Sequence, residues 1–160
     1  MSADKLTRMG AYTNSFRRQK GLISDKFESY FTIYDELLAN TELEIKNILE
    51  IGVQNGGSLE VWARALPHST SILGLDIEPE CGRLLFDDPR IECLVADASS
   101  TKVLDVLRDR TFNLIIDDGS HDSVDVVNSF WNLIDRLTPG GSYVIEDLHT
   151  SYWEKKSGGI

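Results

Sequence analysis

Short apolar runs alternate with helical periodicity along the chain, and this alternation limits the fold more than any other feature of the sequence. Apolar residues spaced three or four apart predict a helix that begins near Asp25, where Asp25 and Glu28 form a capping-box pattern, and further helices at 58–66, 100–109 and 123–137. The apolar runs between them predict five strands, at 45–51, 71–77, 91–95, 112–116 and 142–145. Strands that alternate with helices form a parallel sheet through right-handed crossovers. The fold class is therefore α/β, with an open parallel sheet.

Acidic residues stand at or just after the carboxyl end of every predicted strand of this sheet. They are Glu50, Asp76, Asp97, the pair Asp117 and Asp118, and the pair Glu146 and Asp147. In open parallel sheets, ligands bind outside the carboxyl ends of the strands. The sequence therefore predicts a binding site at this edge of the sheet.

A glycine-rich segment follows the first predicted strand and reads ILEIGVQNGGS. Gly52 allows a sharp turn out of the strand, and Gly56 lets backbone approach a ligand before a helix begins, where free amide groups attract an anion. The spacing E-x-G-x-x-x-G-G differs from the G-x-G-x-x-G fingerprint of dinucleotide-binding proteins. A purely structural turn is the alternative interpretation.

Asp76 ends the second strand, at the position where an acidic residue accepts hydrogen bonds from ribose hydroxyls. A nicotinamide cofactor would use the same device, so this residue by itself does not identify the ligand. Asp97 has a simpler alternative as part of a helix cap before Ser99 and Ser100.

The two paired carboxylates after the fourth and fifth strands are each followed by a histidine, His121 or His149. Hard divalent cations such as Mg²⁺ prefer oxygen ligands, and a histidine beside such an ion can act as a general base. Without a cation, carboxylates held this close would repel one another and raise each other's pKa. Helix caps and solvated loop acids are the alternative.

Four stretches, ILEIGVQNGGS, LGLDIEP, IIDDGSH and VIEDLHTSYW, resemble class I S-adenosylmethionine (SAM)-dependent methyltransferases, and most closely the bacterial metal-dependent sugar O-methyltransferases. The resemblance implies a Rossmann-like three-layer sandwich. It also implies that Asp118 and Asp147 bind Mg²⁺, that Glu146 is an additional ligand or contacts the ligands, and that His121 is the general base.

The same resemblance places the cofactor and the reaction. It implies that residues at the ends of the first four strands bind SAM, namely Glu50, Gly52, Gly56, Ser58, Asp76, Asp97 and Asp117. Among these, Asp97 would accept a hydrogen bond from the adenine amino group. The implied function is methyl transfer to a hydroxyl of a small molecule, in particular a sugar or a glycosylated natural product.

Composition limits the partners and the location. A net charge of −10 argues against a nucleic-acid partner, because neutralising phosphates requires a basic face. We expect a cytoplasmic protein, since no apolar run reaches the length of about 18 residues that spans a membrane and the two cysteines lack disulfide or metal spacing. The first twenty residues are basic, so residues 1–24 are interpreted as an arm that is a solvated tail, a lid or an oligomer contact. Residues 25–160 then form the SAM-binding domain.

Domains of this family end in two further strands that form an antiparallel hairpin, and the pattern here predicts only five strands. We therefore expect a domain that is incomplete at its carboxyl end, with an apolar fifth strand at the sheet edge that favours oligomerisation. A non-catalytic module that binds SAM or a partner protein is the alternative function.

Overall fold

The computed structural model describes residues 9–149 and contains one sheet of five parallel strands in the order β3-β2-β1-β4-β5. The strands are β1 Asn47–Ile51, β2 Ser71–Asp76, β3 Ile91–Val95, β4 Phe112–Asp117 and β5 Leu137–Ile145. The helices are α1 Ala11–Arg17, α2 Glu28–Asn40, α3 Gly57–Ala65, α4 Val103–Leu107 and α5 Ser123–Leu133, with short 3-10 turns at Cys81–Arg83 and Ile134–Arg136. The chain adds β2 and β3 on one side of β1 and then β4 and β5 on the other, so the strand order reverses between β1 and β4.

Apolar side chains cover both faces of the sheet, as the continuous apolar strands predict. Because successive side chains of a strand point to opposite faces, Ile48 packs in one core cluster with Trp62, whereas Leu49 packs in the other with Leu133. The three-layer α/β fold predicted from the sequence is therefore confirmed.

Helix α1 belongs to the first of these cores. Tyr12 is fully buried, with its ring centroid 4.6 Å from that of Trp62 and 4.7 Å from that of Tyr34. Residues 11–17 are therefore packed against the domain and are not a solvated tail. The division of the chain at residue 24 stays a prediction, and residues 1–8 lie outside the described part of the chain.

Two local predictions are wrong. Helix α2 begins at Glu28 after Phe27, which provides no side-chain cap, so Asp25 and Glu28 do not form a capping box. The predicted helix at 123–137 gives way to a 3-10 turn after Leu133, and strand β5 begins five residues earlier than the apolar run at 142–145 indicates.

Helix length and hydropathy also bear on membrane insertion. Between residues 9 and 149, no helix combines the length and the apolar character needed to cross a bilayer.

Strand β5 pairs with β4 along one side and forms one edge of the sheet in the described residues.

Candidate functional site

Two adjoining cavities lie at the carboxyl ends of the strands, next to the point between β1 and β4 where the strand order reverses. The larger has a volume of about 480 Å³ and the smaller about 300 Å³. Both are lined by Gly52, Asp76 and Gly119, so they meet beside the turn after β1. The loops after β1, β4 and β5 line the larger cavity together with residues 24–27, the segment that precedes α2.

Gly52 brings the turn after β1 into contact with the loop after β4. Its φ is 86°, in the left-handed region that favours glycine, and an added Cβ would lie 2.1 Å from the carbonyl oxygen of Asp118. Gly56 also has a positive φ, but an added Cβ there would contact the ring of Phe86 at 2.7 Å, and Gly56 does not line either cavity. The turn predicted at Gly52 therefore lines both cavities, whereas the backbone approach predicted at Gly56 reaches neither.

Glu50 lies behind the cavity wall and not on it. Its side chain is fully buried and accepts a hydrogen bond of 2.8 Å from Ser58 Oγ, while Ser58 lines the larger cavity. Burial raises the pKa of Glu50, and the nearby Lys26 and Ser58 oppose that shift. Of these two predicted cofactor residues, only Ser58 faces the cavity, and Glu50 supports it from behind.

Asp76 lies where the two cavities meet. Its carboxylate accepts backbone hydrogen bonds from Val53 at 2.7 Å and from Glu78 at 2.9 Å. Partial burial raises the pKa of Asp76. The backbone N–H groups of Val53, Glu78 and Gln54 together lower it by more, so the net pKa is below the ordinary value. An ionised carboxylate is thus held at the junction of the cavities.

Two further predicted cofactor residues, Asp97 and Asp117, line the smaller cavity. Asp97 accepts hydrogen bonds from the backbone N–H and the hydroxyl of Ser99, at 2.9 and 2.7 Å. It does not cap a helix, because α4 begins at Val103 with Lys102 as its N-cap. Asp117 is buried, and burial raises the pKa of its carboxyl group to about 6.

Asp118, His121 and Asp147 converge in the larger cavity. One oxygen of each carboxylate and one imidazole nitrogen lie within 4.8 Å of one another, and among residues 9–149 no other such group of three was found. His121 Nε2 is 3.8 Å from Asp118 Oδ1 and 3.9 Å from Asp147 Oδ2. His121 and Asp147 adopt φ values of 57° and 53°, a conformation that non-glycine residues rarely keep without surrounding support. Two carboxylates and an imidazole at these distances fit a divalent cation such as Mg²⁺ or Mn²⁺.

Tyr30 of α2 supports this cluster. Its hydroxyl donates to Asp147 Oδ1 at 2.7 Å and accepts from the backbone N–H of Asp147 at 3.0 Å. His149, the second histidine of the sequence pattern, lies on the outer side, where its Nδ1 is 3.6 Å from Asp147 Oδ1. The Tyr30 hydroxyl therefore holds both the carboxylate and the backbone of Asp147 in place.

Lys26 is a site residue that the sequence analysis missed. Its Nζ lies 2.5 Å from Asp118 Oδ2, 2.6 Å from Glu146 Oε1 and 3.2 Å from Glu50 Oε1, and its side chain is only 3% exposed. Burial lowers the pKa of Lys26, but the three carboxylates raise it more, so its net pKa is above the ordinary value and the side chain is an ammonium ion. No local pattern could have identified it, because its partners Asp118 and Glu146 are 92 and 120 residues away in sequence.

The acids predicted as metal ligands therefore fall into two groups. Asp118 and Asp147 face His121, whereas Glu146 is buried and accepts hydrogen bonds from Lys26 and from the Tyr34 hydroxyl. Burial raises the pKa of Glu146 to about 7, although Lys26 opposes this shift. Asp118 contacts both groups, since its other oxygen binds Lys26.

Comparison with known proteins places the chain among methyltransferases. The methyltransferase domain family matches residues 49–148. The chain is 38% identical over 141 residues to 8-demethyl-8-alpha-L-rhamnosyl tetracenomycin-C 2'-O-methyltransferase of Streptomyces olivaceus, covering 81% of this chain and 36% of that protein. It is also 38% identical over 129 residues to demethylmacrocin O-methyltransferase of Streptomyces fradiae, covering 75% of this chain and 32% of that protein.

Solved structures give the same result. MycE methyltransferase from the mycinamycin biosynthetic pathway, in complex with Mg and SAH, matches 92% of this chain and 41% of its own with a TM-score of 0.70 and 31% identity. The chain thus spans about a third of the length of the two curated relatives. The family match begins within β1 and runs past β5, so it includes the turn at Gly52 and the acid–histidine cluster, whereas residues 24–27 of the larger cavity lie before it. The chain belongs to the methyltransferase domain family.

Proposed function

We propose that this protein transfers a methyl group from SAM to a hydroxyl of a small molecule, with the help of a divalent cation. The observation that carries the proposal is the larger cavity, which contains the turn at Gly52, the Asp76 carboxylate and the cluster of Asp118, His121 and Asp147. A sugar hydroxyl of a natural product is the proposed acceptor, because the two curated relatives described above are named as methyltransferases of rhamnosyl tetracenomycin and of demethylmacrocin.

The two adjoining cavities support the proposed position of SAM. The adenine would occupy the smaller cavity beside Asp97 and Asp117, and the ribose hydroxyls would donate to Asp76 at the junction. The amino-acid part would extend past Gly52 and Ser58 into the larger cavity. SAM supplies a methyl group already activated by its sulfonium charge, so the protein contributes mainly orientation.

The acid–histidine cluster supports the proposed proton transfer. A bound divalent cation supplies Lewis acidity, which lowers the pKa of a hydroxyl beside it. Asp118 and Asp147 would hold that ion, and His121 Nε2, which faces both carboxylates, would receive the hydroxyl proton. The acceptor oxygen then bonds to the methyl carbon while the carbon–sulfur bond breaks, leaving S-adenosylhomocysteine (SAH).

Calorimetry with SAH, with and without Mg²⁺, tests the proposal. We expect the wild type to bind SAH, and the Asp147→Asn variant to lose the response to Mg²⁺ while still binding SAH. Asp109→Asn is the matched control, because Asp109 is exposed and lies just before β4, at the amino-terminal ends of the strands and away from the cavities. An absence of SAH binding by the folded wild type would refute the function. Tight SAH binding with no methyl transfer to any glycosylated acceptor would instead support the non-catalytic alternative.

We also propose a cytoplasmic location and a homo-oligomeric assembly. Cys81 and Cys93 are not joined in a disulfide, which favours a reducing compartment. Within residues 9–149, strand β5 forms one edge of the sheet, and strand edges favour association. Light scattering after size-exclusion chromatography measures the assembly directly, and a monomer at micromolar concentration would contradict it.

A further inference from the structure

The ammonium group of Lys26 lies inside the carboxylate cluster that the proposed function assigns to a metal ion. It contacts one carboxylate from β1, one from the loop after β4 and one from the loop after β5, namely Glu50, Asp118 and Glu146. All three contacts are 3.2 Å or shorter, and both Glu50 and Glu146 are buried. Lys26 is therefore the internal cation of this site.

Buried charges require a nearby partner, because their transfer out of water is costly. Lys26 provides one positive charge to three carboxylates, and Asp147 adds a fourth carboxylate nearby. A divalent cation bound at Asp118 and Asp147 would share the Asp118 carboxylate with the ammonium group. The two cations would repel each other while both were attracted to the same carboxylate group.

We propose that Lys26 competes with the divalent cation for the carboxylate of Asp118 and thereby sets the metal affinity of the site. This inference rests on the metal binding in the proposed function and adds a residue that controls it. In the metal-free protein, the ammonium group holds the carboxylates together. When the metal ion binds, Asp118 transfers its interaction to that ion, and the hold on Lys26 weakens.

The segment that carries Lys26 has other anchors. Asn55 Nδ2 donates to the carbonyl oxygen of Ile23 at 2.9 Å, and Gln19 Nε2 donates to that of Gly57 at 3.2 Å. The backbone of residues 23 and 24 also packs closely against Gly57, where an added Cβ would lie 2.7 Å away. A substitution of Lys26 therefore removes the charge while these contacts still hold the segment against the glycine turn.

Calorimetric titration of Lys26→Met and wild type with Mn²⁺ tests the competition. Methionine is one atom shorter than lysine, is unbranched like it, and carries no charge. We expect Mn²⁺ to bind Lys26→Met about 10- to 100-fold more tightly, because the substitution removes a positive charge a few ångströms from the ion. We also expect a lower melting temperature without metal and a larger rise on adding Mn²⁺, because the metal then compensates the buried carboxylates. Lys46→Met is the matched control, since Lys46 is partly exposed and pairs with Glu44. It directly precedes β1, at the amino-terminal ends of the strands and away from the site.

The outcomes separate this inference from the proposed function. If the wild type binds Mn²⁺ and Lys26→Met binds it equally or more weakly, the competition is refuted and the metal site stands. If only Lys26→Met binds Mn²⁺, the competition is supported in its strongest form. If neither binds, both the competition and the proposed metal dependence are refuted.

A second measurement covers the case in which Lys26→Met does not fold. In the wild type, acylation of lysines by an amine-reactive ester is followed by mass spectrometry with and without Mn²⁺. We expect the slow labelling of buried Lys26 to accelerate when Mn²⁺ is added, while Lys46 is unaffected. An unchanged rate at Lys26 under saturating Mn²⁺ would overturn the inference.

Discussion

Replacing Gly52 with alanine tests whether the turn after β1 and the loop after β4 form one site. Residue 52 has a φ of 86°, and the left-handed conformation costs a residue with a side chain roughly 1–2 kcal/mol. The new Cβ would also lie 2.1 Å from the carbonyl oxygen of Asp118, whereas ordinary contacts begin near 3.4 Å. One of the two loops must therefore move by about 1.3 Å.

The expected loss of stability is the sum of the backbone strain and the steric overlap. Overpacking of this kind typically costs about 1–3 kcal/mol, so the expected loss in free energy of unfolding is about 2–5 kcal/mol. For a protein of this size, each kcal/mol lowers the melting temperature by about 2–4 °C, which predicts a decrease of about 4–20 °C. The displacement reaches Asp118 directly, so we also expect the Mg²⁺ dependence of SAH binding to weaken.

Gly21→Ala is the matched control for backbone strain. Gly21 has a φ of 91°, but an added Cβ there would meet nothing within 4 Å. It should therefore lose only the strain contribution of roughly 1–2 kcal/mol. Thermal unfolding followed by circular dichroism compares the two variants. Equal melting temperatures for Gly52→Ala and Gly21→Ala, together with an unchanged response to Mg²⁺, would refute the close contact between the two loops.

Three further predictions concern the site and the frame around it. His121→Ala should lower the rate of methyl transfer about 10²- to 10⁴-fold with little change in SAH affinity, and a variant with full activity would rule out His121 as the base. Asp76→Asn should weaken SAH binding about 10- to 100-fold, the value of one or two charged hydrogen bonds, and equal calorimetric affinities would argue against ribose recognition at this residue. The Arg90 side chain holds the pKa of Asp88 below its ordinary value, so this pair contributes stability above about pH 4 that is lost as the pH falls through the lowered pKa. Asp88→Asn should therefore have a melting temperature that depends less on pH below about pH 4, and parallel acid profiles for variant and wild type would contradict this.

Local sequence patterns predicted the bounds of a helix or strand well where its own residues form an uninterrupted pattern. The run Ile91–Val95 is a strand with the predicted ends, and α5 begins at Ser123 as expected. The start of β5 was missed because Pro139 and two glycines interrupt its apolar run. There the backbone pairs with β4 through an irregular register between Phe112 and Leu114, which no local pattern encodes.

The sequence by itself determined which residues stand at the carboxyl ends of the strands, because a parallel sheet aligns those ends whatever its details. For that reason Asp118, His121 and Asp147 could be expected to meet, and they do. Only the tertiary structure decided how the acids divide. Glu146 and Glu50 turn towards Lys26, which arrives from a distant segment, and Asp118 is shared between Lys26 and the acid–histidine cluster. Charge pairing inside a protein depends on which groups lose their water together, and that is a property of packing that distance along the chain does not reveal.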